Sequence, residues 1–290
     1  MWPSIASEPF IRLGCFVGVF AAIAAWEMAA PRRHLAMSRA VRWTNNLAVV
    51  AVDTLLVRLL LPAAAAGVAV YAEAAGWGLL GLVGWPAWVK IIVGVAALDL
   101  AIYLQHVLFH AVPSLWRLYR MHHADLDFDV STGVRFHPIE ILLSLVIKIA
   151  VVAALGAPAV AVVIFEVLLN ATSLFSHGNV RLPSALDHIA RLFVVTPDMH
   201  RVHHSIDPRE TNTNFGFNFA IWDRLFRTYR AAPAAGHAGM TIGIVQFRNA
   251  RELWLDRMLT QPFREDSGPR PFNGSAAILT PPGGRDTSWS

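Results

Sequence analysis

Residues 11–30, 88–109, 139–155 and 158–174 are nearly unbroken runs of apolar side chains, and nothing else restricts this chain as strongly. A helix needs roughly 20 apolar residues to cross a hydrocarbon core about 30 Å thick. At that depth the backbone must satisfy its own hydrogen bonds, so an open sheet is excluded. In the first run Arg12 and Glu27 sit only near the ends, and the last two runs turn on "GAP" as a tight helical hairpin. Residues 47–75 are long enough for a further span but carry Asp53 and Arg58, which leaves its boundaries open. "GWGLLGLVGW" is too short and too glycine-rich for another. Composition agrees: 15% of residues are charged, against about 25% in soluble domains. The expected fold is all-α, a polytopic membrane bundle of four to five spans.

The N-terminus lacks a basic leader and a small-residue cleavage site, so the first span is expected to stay as an anchor. The one cysteine, Cys15, excludes intramolecular disulfides and cysteine-based metal sites. A net charge of +4 does not imply nucleic acid here, because scattered arginines on a membrane protein report orientation. Arg32, Arg33, Arg39 and Arg42 follow the first span, whereas residues 74–88 carry no charge. By the positive-inside rule the 31–45 segment is cytoplasmic. Alternation then puts residues 111–138 and everything after about 175 on that same face, the inner side of the inner membrane in a bacterium. Every histidine-rich segment falls there, as a helical cap.

Those histidines form clusters. "QHVLFH" sets His106 and His110 four apart on one helical face, with Asp99 and Tyr103 on the same stripe. "LYRMHH" supplies His122 and His123, and "HRVHH" supplies His200, His203 and His204. Glu166, Asn170, Ser173 and His177 make a polar stripe down the last span. Protonated imidazoles would repel one another at such density, and a metal favours the neutral form by taking the lone pair. One zinc takes about four ligands, so eight histidines suit two ions. Neighbours such as His122 and His123 diverge by about 100° on a helix and fit two adjacent metals better than one. Imidazole suits iron, copper and zinc alike.

Plainer roles compete at several positions. His34, His188 and His237 read as surface residues. His137 reads equally as the start of a helix, with Pro138 next and Glu140 in the first turn. Glu166 and Lys148 inside spans either snorkel, pair or serve function. The aromatics of "FGFNFAIWDRLF" read first as packing and second as a substrate wall. A bis-histidine haem protein stays open, although it would need facing single histidines deep in the spans. So does a zinc-dependent hydrolase or transporter, although HExxH is absent.

The boxes "HVLFH", "YRMHH" and "HRVHH", with the block "TNFGFNFAIWDRLFRTY", resemble the fatty acid hydroxylase/sterol desaturase superfamily over about residues 90–230. That family consists of integral-membrane enzymes with a non-haem di-iron centre. The resemblance implies hydroxylation or desaturation of a lipid C–H bond, with O2 as co-substrate and two iron ions as cofactor. It implies iron ligation by His106, His110, His122, His123, His200, His203 and His204, and a further ligand at His177. The second box departs from the pattern, with Tyr119 where the family usually has its first histidine. Tyr119 is expected to hydrogen-bond near the metals rather than ligate, leaving a coordination position for water, oxygen or His137. Asp99 and Asn170 are further candidates for supporting the site. The chain has no GxGxxG, CxxC or fused cytochrome segment, so a separate ferredoxin, cytochrome or reductase is expected to deliver electrons. Residues 1–262 read as one membrane domain and 263–290, rich in Pro, Gly and Ser, as a disordered tail.

Overall fold

The apolar runs become helices in the structure, a computed structural model that describes residues 8–61 and 64–265. In chain order these are α1 (Glu8–Ala29), α2 (Arg39–Leu60), α3 (Ala64–Ala74), α4 (Ala87–Ala111), α5 (Pro113–His123), α6 (Pro138–Leu155) and α7 (Ala159–Ser176). Short helices follow: α8 (Ser184–Ala190), α9 (Pro197–His203), α10 (Pro208–Thr211) and α11 (Ile221–Leu225). Among the described residues five stretches are long and apolar enough to cross a membrane: Pro9–Ala29, Arg39–Ala74, Ala87–Ala111, Pro138–Leu155 and Ala159–Ser176. The expected all-α bundle is therefore what forms. Among the described residues extended pairing is limited to two isolated bridges, Val194 with Phe219 and Ser205 with Ile242.

The second span begins at Arg39, eight residues before the hydropathy signal at 47. The polar side chains that hide its start are satisfied by distant partners. The Arg42 guanidinium donates to both Asp125 carboxylate oxygens (2.9 and 2.8 Å), to Asp129 and to Thr132. Asn46 donates to Ser131 at 2.9 Å and accepts from Arg135 at 3.1 Å. These bonds tie α2 to the turn Val130–Val134, and a buried ion pair with its hydrogen bonds complete can exist there.

The hairpin of α6 and α7 starts and stops on legible signals. His137 caps α6, Pro138 opens it, and Gly156 at φ +60° ends it. The glycine-rich segment after α3 does not cross; it lies over this hairpin turn. Leu79 and Leu80 N–H groups donate to the carbonyls of Ala154 and Leu155. A Cβ on Gly78 would lie 2.1 Å from the Gly156 nitrogen, so both positions need glycine. Between α4, α6 and α7 the core is Leu98, Leu145, Val152, Ala161 and Phe165, while Trp88, Ile92 and Leu104 of α4 face outward. Glu166 is buried in this layer and pairs with Lys148 and with Arg12 at 2.9 Å, so these in-span charges compensate one another.

α5, the Val130–Val134 turn and α8 onward cover one end of the bundle. The Arg32 N–H, just after α1, donates to the Asn179 carbonyl, just after α7. Residues 261–264 dock on α5, because Arg117 and Arg120 donate to the carbonyls of Gln261, Pro262 and Arg264. The expected tail lies, from residue 266 onward, outside the described residues.

Candidate metal centre

The covered end of the bundle is where the histidines gather. α4 ends with His106 and His110 on one face. Pro113 then opens α5 at once, and this helix carries His122 and His123 back over them. α7 stops at His177, its C-cap. α9, opened by Pro197 and capped by the Thr196 hydroxyl, brings in His200 and His203, with His204 as its C-cap.

Eight imidazoles from four helices fall into two sets of four, His106–His110–His123–His203 and His122–His177–His200–His204. Within each set the nitrogens lie within 4.8 Å of one another. The adjacent pairs His122/His123 and His203/His204 split between the sets, as their angular divergence on a helix requires. In the second set His177 Nε2 is 3.2 Å from both His122 Nε2 and His204 Nε2 and 3.1 Å from His200 Nε2. In the first, His110 Nε2 lies 3.1 Å from His123 Nε2.

Three of the far nitrogens are held by main-chain carbonyls, while Nδ1 of His122, His123, His200 and His204 is buried without a hydrogen-bond partner. His106 Nδ1 donates to the Phe215 carbonyl at 2.7 Å, His203 Nδ1 to Thr213 O at 2.8 Å and His177 Nδ1 to Ser173 O at 2.7 Å. Each bond fixes the tautomer that leaves Nε2 as the lone-pair acceptor, aimed into the cluster. His203 Nε2 is buried with no hydrogen-bond partner. A buried acceptor among other acceptors is costly, and a metal ion relieves it, so the donor sets fit metal ions. Burial, and after it the charge of neighbouring imidazoles, pushes His122, His123, His200, His203 and His204 well below 6.5. Burial lowers His177 to about 4. The cap imidazoles are thus neutral at pH 7.

Arg201, beside His200, does not add charge to the site. Its guanidinium pairs with Asp198, donates to Gly178 O at 3.3 Å and lies 5.2 Å from the centre of the Phe128 ring. Tyr119 is buried against both sets, its ring 5.1 Å from His106 and 5.3 Å from His122; with His106 Nδ1 already donating, its phenol O–H donates to His106 Nε2 at 2.9 Å. Burial raises the phenol well above 10, so it is neutral.

The other sequence candidates lie elsewhere. His137 caps α6, accepting from the Ile139 N–H at 3.2 Å and donating to Leu259 O at 3.2 Å. Asp99 accepts from the Trp222 indole at 2.7 Å and the Phe219 N–H at 3.2 Å. Asn170 donates back to the Glu166 carbonyl at 2.8 Å. One residue has an unforeseen position. Asp223 accepts from the Phe215 and Gly216 N–H groups (2.8 and 2.9 Å) and the Thr228 hydroxyl (2.7 Å), which fixes the carbonyl that orients His106. Its signal was a lone acid inside the apolar "FAIWDRLF". Phe215 and Phe217 rings lie 5.3 and 5.0 Å from His106 and form an apolar wall.

Comparison with known proteins places the same region. The fatty acid hydroxylase family model matches residues 91–228. An ornithine lipid hydroxylase of Rhizobium tropici is 33% identical over 150 residues, which is 51% of this chain and 44% of that protein. The alkylglycerol monooxygenase of Homo sapiens is 26% identical over 208 residues, 68% of this chain and 42% of that protein. That of Caenorhabditis elegans is 30% identical over 135 residues, 46% of this chain and 25% of that protein. The matched part therefore spans less than half the length of these relatives. No solved structure matches the chain.

Proposed function

We propose, from the match of residues 91–228 to the fatty acid hydroxylase family model, that the chain is a membrane-bound di-iron oxygenase acting on a lipid C–H bond. One iron is held by His106, His110, His123 and His203, the other by His122, His177, His200 and His204. The observation that carries the reading is the pairing of two buried four-imidazole sets with their lone pairs facing inward. Bound iron would supply the reduction of O2 and the oxidation of the C–H bond. Hydroxylation balances as C–H, O2, two electrons and two protons giving C–OH and water, so a separate electron donor (ferredoxin, cytochrome or reductase) is required. Desaturation uses the same inputs and yields a double bond and two waters.

The protein's own residues have distinct tasks. Thr213, Phe215 and Ser173 carbonyls orient three ligands. Tyr119 offers a neutral O–H to the first set, and Phe215, Phe217, Phe136 and Phe128 keep water away from the imidazoles. A haem reading fits less well, since these histidines stand in fours rather than as one facing pair.

Metal analysis after anaerobic purification tests the proposal: about two irons per chain are expected, and one zinc per chain with full activity would overturn it. Comparative lipid mass spectrometry of cells with and without the protein then identifies the oxidised lipid. The cap is assigned to the cytoplasm. In a Cys15→Ser background, Leu82→Cys should react with an impermeant reagent from outside and Arg209→Cys should not; the reverse would invert the topology.

A further inference from the structure

The cap carries a contiguous apolar surface that packing leaves uncovered. Leu186, Ile189, Leu192 and Phe193 of α8 and the residues after it are all more than half exposed, as are Ile221 and Leu225 of α11. The two segments are joined: the Ala220 N–H donates to Phe193 O, the Val195 N–H donates to Asn218 O, and Val194 pairs with Phe219. On α8 the inward face is polar, with Asp187 and Arg191 in an i,i+4 ion pair at 2.6 Å. Apart from Ser184 and His188, whose imidazole Nδ1 donates to the Ser184 carbonyl at 2.7 Å, the exposed residues of α8 are apolar while its charged pair faces inward, which is inverted for water.

The depth of this surface follows from its anchors. The Trp222 indole and the Phe219 N–H both reach Asp99 of α4. Asp99 lies twelve residues before the end of α4 at Ala111, which is about 18 Å along the helix. Phe226 stacks on Tyr103 of the same helix at 5.2 Å, and Asn218 bonds Thr172 of α7. Leu104 and Leu108, outward-facing and apolar, lie on the cap side of Asp99. The loop after Phe215 thus descends from the cap alongside the lipid-facing surface of α4.

Its backbone is provisioned for that depth. Irregular chain is tolerated there only when its polar groups find protein partners. The Phe215 and Gly216 N–H groups bond the Asp223 carboxylate, and the Thr228 and Tyr229 N–H groups bond the Asp223 carbonyl. Arg181 and Arg227, both exposed, bracket the two segments in sequence and suit anionic headgroups above them.

We infer that residues 184–193 and 219–226 form a re-entrant element seated in the hydrocarbon of the leaflet on the histidine side, with lipid chains as its partner. The inference rests on the membrane spans and not on the metal chemistry. It gives lipid a lateral approach, because the inner wall of the same loop, Phe215 and Phe217, lies against His106.

Spin labels on Leu186→Cys, Ile189→Cys and Leu225→Cys, each in a Cys15→Ser background and reconstituted in phosphatidylcholine–phosphatidylglycerol vesicles, test this. Exposed positions are chosen so that no internal packing is lost. Leu13→Cys, outward-facing on α1, and Arg209→Cys, exposed on the cap, are the references. All three labels are expected to match the Leu13 reference, with high oxygen and low nickel-chelate accessibility. Labels that match the Arg209 reference would overturn the inference while leaving the spans and the metal centre standing. Spin–spin broadening that disappears on dilution with unlabelled protein would also overturn it, since a second copy would then cover the surface.

Discussion

Asp223→Asn probes how the fold would support the proposed metal of the first set without touching it. Asp223 Oδ1 accepts from the Phe215 N–H (2.8 Å) and the Thr228 hydroxyl (2.7 Å), and Oδ2 accepts from the Gly216 N–H (2.9 Å). Asparagine keeps the volume but offers a single acceptor oxygen, so at least one N–H meets an NH2 group instead. A hydrogen bond to a charged group contributes about 1.5–3 kcal/mol, and a buried donor left unmet costs about 1–3 kcal/mol. A loss of about 2–3 kcal/mol at this turn frees the Phe215 carbonyl from its place 2.7 Å from His106 Nδ1. Loss of such a supporting partner weakens a metal site about 10–100-fold, or about 1.4–2.7 kcal/mol, which the turn's loss covers. The assay is metal retained per chain after dialysis against a graded chelator. Asp223→Asn should release one ion early and keep the other. Combined with His204→Ala, which disables the second set, it should strip the remaining ion. Combined with His203→Ala, which disables the first set, it should change little. Equal loss in both backgrounds, or none in either, would refute the reasoning.

Metal-free protein should lose stability in acid. Imidazoles with depressed folded pKa values reject protons that the unfolded chain accepts, so stability falls as pH drops below about 6.5 and the loss levels off only below the folded pKa. For His177, held at about 4, this amounts to about 3 kcal/mol by pH 4; thermal melts from pH 7.5 to 5 should shift downward steadily, and a flat series would contradict the burial argument. Tyr119→Phe, which removes one hydrogen bond at 2.9 Å, should keep most of the metal, while His123→Ala should lose the ion of the first set. An intense visible band in the ferric wild type that is absent from Tyr119→Phe would instead make the phenol a ligand. Arg42→Met leaves the buried carboxylates of Asp125 and Asp129 unpaired, and should cost about 3–5 kcal/mol in a denaturation assay. A change below 1 kcal/mol would mean the cap does not depend on that pair.

What the sequence determined by itself was whatever depends on near neighbours along the chain. Hydropathy set the spans because lipid solvates any long apolar helix regardless of its partners. Spacing put His106 with His110, and His200 with His203 and His204, on common faces because helical periodicity is local. His137 and Pro138 announced a helix start in the same way. Tertiary structure decided everything that needed residues far apart to meet. The start of α2 at Arg39 is invisible to hydropathy, since Arg42 and Asn46 become affordable only once Asp125, Asp129 and Ser131 face them. Asp99 shares a stripe with His106 yet lies seven residues away, about 10 Å along the helix, and serves Trp222 instead. The division of eight histidines into two fours follows from how α4, α5, α7 and α9 converge, and three of them are aimed by the Phe215, Thr213 and Ser173 carbonyls. No period within any one of those helices encodes that, because each set draws on three of them.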